Sequence, residues 1–224
     1  MNGVLFGPPG SGKGTQAGAL CERFGMTHLS TGDALRDAVR KGTDLGKKAQ
    51  PLMTAGKLVP DELVGGIVRE KILELAREGR GILFDGYPRN LEQARFLDAC
   101  LAEAETQIHV VAALEIAEEE LVKRICGRRL CTNPSCTGAF NIYFMPPKTA
   151  DKCDLCGSDL MQRKDDNEET LRQRLVVYNS ETHPVLSYYE GKDLLIRVAA
   201  NGSVSDVRKS LLSQVEAAQQ GRSA

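Results

Sequence analysis

Short apolar runs that end in polar or glycine-rich turns alternate along the chain with stretches whose apolar residues recur at helical spacing. Val4-Leu5-Phe6 is the first such run, and the helix predicted after it carries Ala17, Leu20, Cys21 and Phe24 on one face. Asp61 is placed to cap a helix buried through Val64, Ile67, Val68, Ile72 and Leu75. Ile82-Leu83-Phe84 reads as a buried strand, Asp85-Gly86 as a turn, and the residues through Gln93, Phe96 and Leu97 as the next helix. A strand over 110–114, a helix over 117–126 and a strand over 194–198 continue the rhythm, and Ser205 opens a last helix carrying Val207, Leu211 and Val215. Strands alternating with helices predict an α/β fold, a parallel sheet covered by helices on both faces.

Two stretches break that rhythm. Residues 31–60 are helical in pattern but interrupted at Gly42, Gly46 and Gly56; residues 127–164 read as loop, with four cysteines, Pro134 and Pro146-Pro147. Both are expected to be insertions at the edge of the sheet's ligand face, which leaves 1–30, 61–126 and 165–224 as one core domain. The tail over 217–224 is expected to fray.

Composition narrows the function. The 224 residues are 42% hydrophobic and 26% charged, an ordinary globular balance, and the net charge of -1 gives no basic field for nucleic acid or an anionic membrane. Aromatic residues are only 5%, too few for the stacking platforms of a nucleic-acid module. No apolar run approaches the roughly 20 residues of a membrane helix, and no export signal is visible, so a cytoplasmic location is expected.

Gly7-Pro8-Pro9-Gly10-Ser11-Gly12-Lys13-Gly14-Thr15 follows the first strand and opens the first helix. Glycines there let successive backbone N–H groups turn onto one anion, and the helix N-terminus adds partial positive charge. Lys13 supplies a full charge. Gly14 stands where such loops usually carry Ser or Thr, with Thr15 one residue later. The pattern speaks for a nucleotide's phosphates and says nothing of the base.

One lysine cannot neutralise two phosphorylated substrates, so further cations are expected. Arg89 ends Asp85-Gly86-Tyr87-Pro88-Arg89, just past a strand's C-terminal end, where open α/β sheets bind ligands. Arg124 and Arg128 precede the cysteine stretch, Arg163 follows it ahead of Asp165 and Asp166, and Arg172 and Arg174 lie on the next helix. A single arginine is ordinarily a solvated surface residue; arginines on both sides of one insertion are a pattern. His28, His109 and His183 are isolated in sequence and read as surface or core residues.

Cys131 and Cys136 have four residues between them, and Cys153 and Cys156 have two, spacings that suit a structural four-thiolate metal site. Zinc fits best, with iron or cobalt as alternatives; two disulfides or four free thiols remain the competing readings. Cys21, Cys100 and Cys126 fall on apolar helix faces.

The segments Gly7 to Thr15, Ser30-Thr31-Gly32-Asp33, Gly56-Lys57-Leu58-Val59, Asp85 to Arg89, Gly127-Arg128-Arg129 and Arg163-Lys164-Asp165-Asp166 resemble, in order, the motifs of long-lid bacterial adenylate kinases. The resemblance covers nearly the whole chain. It implies a P-loop NTPase-like fold and reversible transfer from ATP to AMP, giving two ADP, with Mg2+ accompanying ATP. By it, 31–60 is an AMP-binding flap and 127–164 a lid. The AMP site would be formed by Thr31, Arg36, Lys57, Leu58 and Val59, then by Gly86, Tyr87, Pro88, Arg89 and Gln93. Gln93 would read the adenine edge. Gly10, Ser11, Gly12, Lys13, Gly14, Thr15 and Arg128 would hold ATP, with Phe140 standing where similar lids often carry tyrosine. Arg124, Arg163 and Arg174 would embrace the phosphates being exchanged. Asp85 would hold magnesium through water, or else cap a helix. A monomer is expected. The alternatives are a UMP/CMP kinase or GTP-using relative, a zinc ribbon on an ATPase-like domain, and an inactive regulator.

Overall fold

In the computed structural model, which describes residues 1–221, the chain begins with β1 (Gly3–Phe6), α1 (Lys13–Phe24) and β2 (Met26–Ser30). Helices α2 (Thr31–Arg40) and α3 (Asp44–Thr54) follow, then α4 (Asp61–Arg77), β3 (Gly81–Asp85), α5 (Leu91–Glu103), β4 (Val110–Glu115) and α6 (Glu118–Cys126). Three short strands come next, β5 (Arg128–Cys131), β6 (Ala139–Asn141) and β7 (Leu160–Met161). The chain closes with α7 (Glu168–Val177), a π-type turn over Tyr178–Thr182, α8 (Pro184–Glu190), β8 (Leu195–Ala199) and α9 (Val204–Gln220).

Five strands pair in parallel in the order β2-β3-β1-β4-β8, with Val4 level with Phe84 on one side and Val111 on the other. Strand side chains alternate between faces. Val4, Phe6, Ile82 and Phe84 therefore point into one apolar layer with α4, α5 and α8, while Leu5, Leu83 and Leu114 point into the other with α1 and α9. Both faces being buried, the central strands are apolar throughout, and polar residues appear only where strands end, at Asp85 and Glu115. Those ends are where the loops of the site attach.

Several boundaries differ from the sequence expectation. Asp61 does not cap α4: Pro60 occupies the cap position, and the Asp61 carboxylate is turned toward α5 instead. Helix α9 is capped by Ser203, whose Oγ accepts the Asp206 N–H at 3.2 Å, and not by Ser205. It runs to Gln220, so the stretch from Ala217 to Gln220 is helical; residues 222–224 lie outside the described residues. Strand β2 has no counterpart in the sequence reading, because only Met26 and Leu29 are buried in it and the polar residues between them hide the run.

In 31–60, Gly42 separates two packed helices and Gly56 follows the second, but Gly46 lies inside α3 and does not interrupt it. A Cβ on Gly46 would stand 2.2 Å from the Ala38 carbonyl oxygen, so the α2–α3 approach requires glycine at that point. In 127–164 the expected loop contains an antiparallel sheet in the order β6-β5-β7. Its strands are too short for alternation to be read from sequence.

Candidate active site and lid metal cluster

The phosphate loop leaves the C-terminal end of β1. Gly12 holds φ 94° as the residue before α1, and Gly10 holds φ 87° while pressed against α6, where an added Cβ would meet Ile125 Cγ1 at 3.0 Å. Both conformations are open to glycine and strained for other residues. Ser11 Oγ is buried with no hydrogen-bond partner, an orphan polar atom that an anion in the loop would satisfy. Lys13 Nζ donates to the carbonyls of Gly7 at 2.7 Å and Pro8 at 3.1 Å.

Around it the structure gathers cations. Burial pushes Lys13 down to about 8; Asp85 opposes the shift, and Arg89, Arg174 and Arg128 add to it. Burial likewise pushes Arg89 down to about 10, with Arg174 adding and Asp85 opposing. Arg163 is lowered to about 10 by burial and by Arg36 and Arg128, and Arg174 is lowered by burial against the pull of Asp165. Three carboxylates engage this group: Arg128 grips the buried Asp166 with Nε at 2.8 Å and with Nη2, Arg174 meets Asp165 at 3.2 Å, and Arg163 meets Asp33 at 3.5 Å. Desolvated cations that depress one another are suited to polyanionic oxygens.

Beside the cations lies a cleft whose wall includes Thr31, Arg36, Lys57, Leu58 and Val59 as well as Gly86, Arg89, Gln93 and Arg174. Thr31 Oγ1 donates to the Gly86 carbonyl at 2.9 Å, and Arg89 Nε donates to the same oxygen at 2.8 Å. Arg36 is held on Asp33 at 2.5 Å.

The family model described as Adenylate kinase matches residues 5–194. Adenylate kinases of Petrotoga mobilis and Archaeoglobus fulgidus are 45% and 46% identical to this chain, covering 95% and 96% of it and 96% and 98% of their own lengths. That of Streptomyces griseus is 43% identical over 99% of this chain and 100% of its own. The chain belongs to the adenylate kinase family. It is a nucleoside monophosphate kinase, an ATP:AMP phosphotransferase, and the family uses Mg2+ with ATP.

Not every residue expected at the kinase's site stands on the cleft. Tyr87 is buried in the apolar core beneath it, joined to Pro88 by a cis peptide bond. Arg124 Nη2 donates to the Ala200 carbonyl at 2.8 Å, and its guanidinium lies 6.0 Å from the ring centre of Phe144. The contacts of Arg124 with Phe144 and Ala200 are not legible in the sequence, although Tyr143-Phe144 is an exposed aromatic pair. Phe140 lies in β6 opposite Arg129, against Gly138. Asp85 ends β3 with Oδ2 3.2 Å from His28 Nε2, so His28 is not isolated; nor is His109, whose Nδ1 accepts the Asn2 N–H at 2.9 Å. Asp85 caps no helix: Asn90 caps α5, accepting the Gln93 N–H at 2.8 Å.

In the lid, the sulfurs of Cys131, Cys136, Cys153 and Cys156 all lie within 4.8 Å of one another. Cys131–Cys156 are 3.4 Å apart and Cys136–Cys153 are 3.7 Å apart, far beyond a disulfide bond of about 2.05 Å. All seven cysteines are free, which removes the disulfide reading. Zn–S bonds of about 2.3 Å in a tetrahedron put sulfurs roughly 3.8 Å apart, so the cluster fits a metal of that size. Hydrogen bonding with the Ser158 hydroxyl and backbone draws Cys156 down to about 6, whereas burial pushes Cys131 up to about 12. A cation among the four sulfurs would favour the thiolate at each. Among the described residues, no helix is long and apolar enough to cross a membrane.

Proposed function

We propose that AMP occupies the cleft between α2 and Arg89, that ATP lies with its phosphates in the loop from Gly10 to Thr15, and that the phosphoryl group crosses between them under Lys13, Arg89, Arg128, Arg163 and Arg174. The observation carrying this reading is the buried convergence of Lys13, Arg89 and Arg174 at the junction of loop and cleft. Phosphoryl transfer has a loose transition state with charge spread over equatorial oxygens, so positioned cations supply most of the catalysis and no general base is needed. Lys13 exchanges its contacts with the Gly7 and Pro8 carbonyls for phosphate oxygens, and Ser11 Oγ and the loop N–H groups complete the cradle. Arg89 keeps its hold on the Gly86 carbonyl while its terminal nitrogens take the AMP phosphate.

Asp85 faces Lys13 and would hold Mg2+ through water; the ion supplies charge neutralisation on the ATP phosphates. Thr31, Arg36, Lys57, Leu58, Val59 and Gly86 form the wall of the AMP site, with Gln93 against the base and Tyr87 and Pro88 shaping the turn beneath. Arg124, held by the Ala200 carbonyl beside Phe144, would join the other arginines on the exchanged phosphates, with Phe140 on the same lid at the ATP side. Residues 31–60 act as AMP flap and 127–164 as lid over the core of 1–30, 61–126 and 165–224, closing to exclude water. The four cysteines hold zinc, a structural site without an open position. The enzyme works as a cytoplasmic monomer on free nucleotides, without a nucleic-acid or membrane partner.

The test is to mix the protein with Mg-ATP and each of AMP, CMP, UMP and GMP and to follow the nucleotides by chromatography, with Arg89→Lys and Lys13→Met in parallel. ADP from AMP alone, lost in both variants, is expected. Transfer to CMP or UMP as fast as to AMP would move the acceptor assignment; unchanged activity in the variants would overturn the site.

A further inference from the structure

The amide of Gln93 is held at both ends. Its Oε1 accepts the Arg89 backbone N–H at 2.7 Å, and its Nε2 donates to Asp61 Oδ1 at 2.6 Å. The second Asp61 oxygen accepts Asn90 Nδ2 at 2.9 Å, and Asn90 is oriented in turn because its Oδ1 accepts the Gln93 backbone N–H at 2.8 Å. A backbone N–H can only donate and a carboxylate only accept. The direction of the Gln93 amide is therefore fixed by chemistry: reversed, it would set donor against donor at Arg89 and acceptor against acceptor at Asp61. Gln93 is 3% exposed, and a mismatched contact there could not be relieved by water.

These contacts leave Gln93 one amide N–H and one oxygen lone pair, on a side chain that forms part of the cleft wall. The Watson–Crick edge of adenine offers a 6-amino donor and an N1 acceptor. A 6-oxopurine offers the reverse, an O6 acceptor and an N1–H donor. A free glutamine could serve either by turning its amide over; this one is prevented.

We propose that Asp61 is a specificity-determining positioning residue, which by holding the Gln93 amide in one direction makes the acceptor site take a 6-aminopurine nucleotide and refuse a 6-oxopurine one. The inference rests on the proposed seating of the AMP base against Gln93. Asp61 lies on α4 and need not touch the substrate; it acts through Gln93.

The test compares kcat/KM for AMP and for IMP, with Mg-ATP as donor, in wild type, Asp61→Asn, Asp61→Ala and Gln93→Leu, each checked for folding by circular dichroism and thermal melting. IMP carries the 6-oxo edge without guanine's 2-amino group, so size does not enter. Asparagine at 61 can present either a donor or an acceptor to Gln93, while the Arg89 N–H remains; discrimination against IMP should thus fall, by about tenfold, without vanishing. Asp61→Ala should fall at least as far, and Gln93→Leu should lose most of the AMP preference. Equal losses toward AMP and IMP in folded Asp61 variants, or an unchanged ratio, would overturn the role of Asp61. An unchanged ratio in Gln93→Leu would overturn the seating of the base as well. A collapsed ratio in Gln93→Leu beside an intact one in both Asp61 variants would leave the seating standing and sink the Asp61 assignment alone.

Discussion

Arg163, just beyond the end of β7, reaches Asp33 on α2 with Nη2 3.5 Å from Oδ1, joining 127–164 to 31–60 through an ion pair. The same carboxylate also holds Arg36. Burial alone would raise the Asp33 carboxyl; the charge and hydrogen bonds of Arg36, with Ser30 and Arg163, outweigh it and hold the group below its ordinary value.

A carboxyl lowered in the folded state contributes stability above its unfolded pKa, and that contribution is lost as pH falls through the folded value. Acid titration of the melting temperature should therefore show wild type losing stability below about pH 4 more steeply than Asp33→Asn. Identical acid limbs would mean that Asp33 gains nothing from its arginines.

Lys13 shows the opposite sign from an ordinary paired lysine. Its folded pKa of about 8 lies below the usual 10.5, so over that window the unfolded chain binds more protons and stability rises with pH. Below pH 8 the charge is a cost to the fold. Lys13→Met should melt higher than wild type at pH 7, by about 2–4 °C for each kcal/mol relieved, while losing roughly 10³-fold or more in kcat. A variant that is inactive and also less stable would contradict the desolvation account.

The cysteine cluster should decide whether the lid folds. Chelation at neutral pH is expected to lower the melting temperature and expose 127–164 to protease, leaving the phosphate loop able to protect itself with ATP. Metal-free protein that melts and turns over like the metal-bound form would remove the structural role.

Gly46→Ala should separate α2 from α3, because the added methyl meets the Ala38 carbonyl oxygen at 2.2 Å and neither backbone can yield cheaply. A loss of about 1–3 kcal/mol is expected, together with a raised KM for AMP and a nearly unchanged KM for ATP. Equal changes in both KM values would place the effect outside the flap.

Features encoded by spacing along the chain are legible in the sequence. The loop from Gly7 to Thr15 and the two cysteine pairs are local patterns whose chemistry depends on neighbours a few residues away. The site's finer arrangement is not local. Asp61 looks like a helix cap until α5 is beside it, and nothing near Arg124 in the sequence announces its contacts with Ala200 and Phe144. The His28–Asp85 contact joins adjacent strands whose pairing the sequence does not state, since β2 itself shows only two buried residues that are apolar. The π-type turn before Pro184 is invisible for a related reason: a helical periodicity continues on both sides of it.

The strand order carries a consequence for how the protein is made. β1 is synthesised first yet lies in the middle of the sheet, between β3, which ends at Asp85, and β4, which ends at Glu115. Its backbone hydrogen bonds thus wait for partners that leave the ribosome some 80 to 110 residues later. A nascent chain stopped short of β4 carries the phosphate loop but has only one side of the scaffold that bends it. Nucleotide is expected to act as a folding ligand only once β4 has been made, so that assembly before that point rests on apolar contacts.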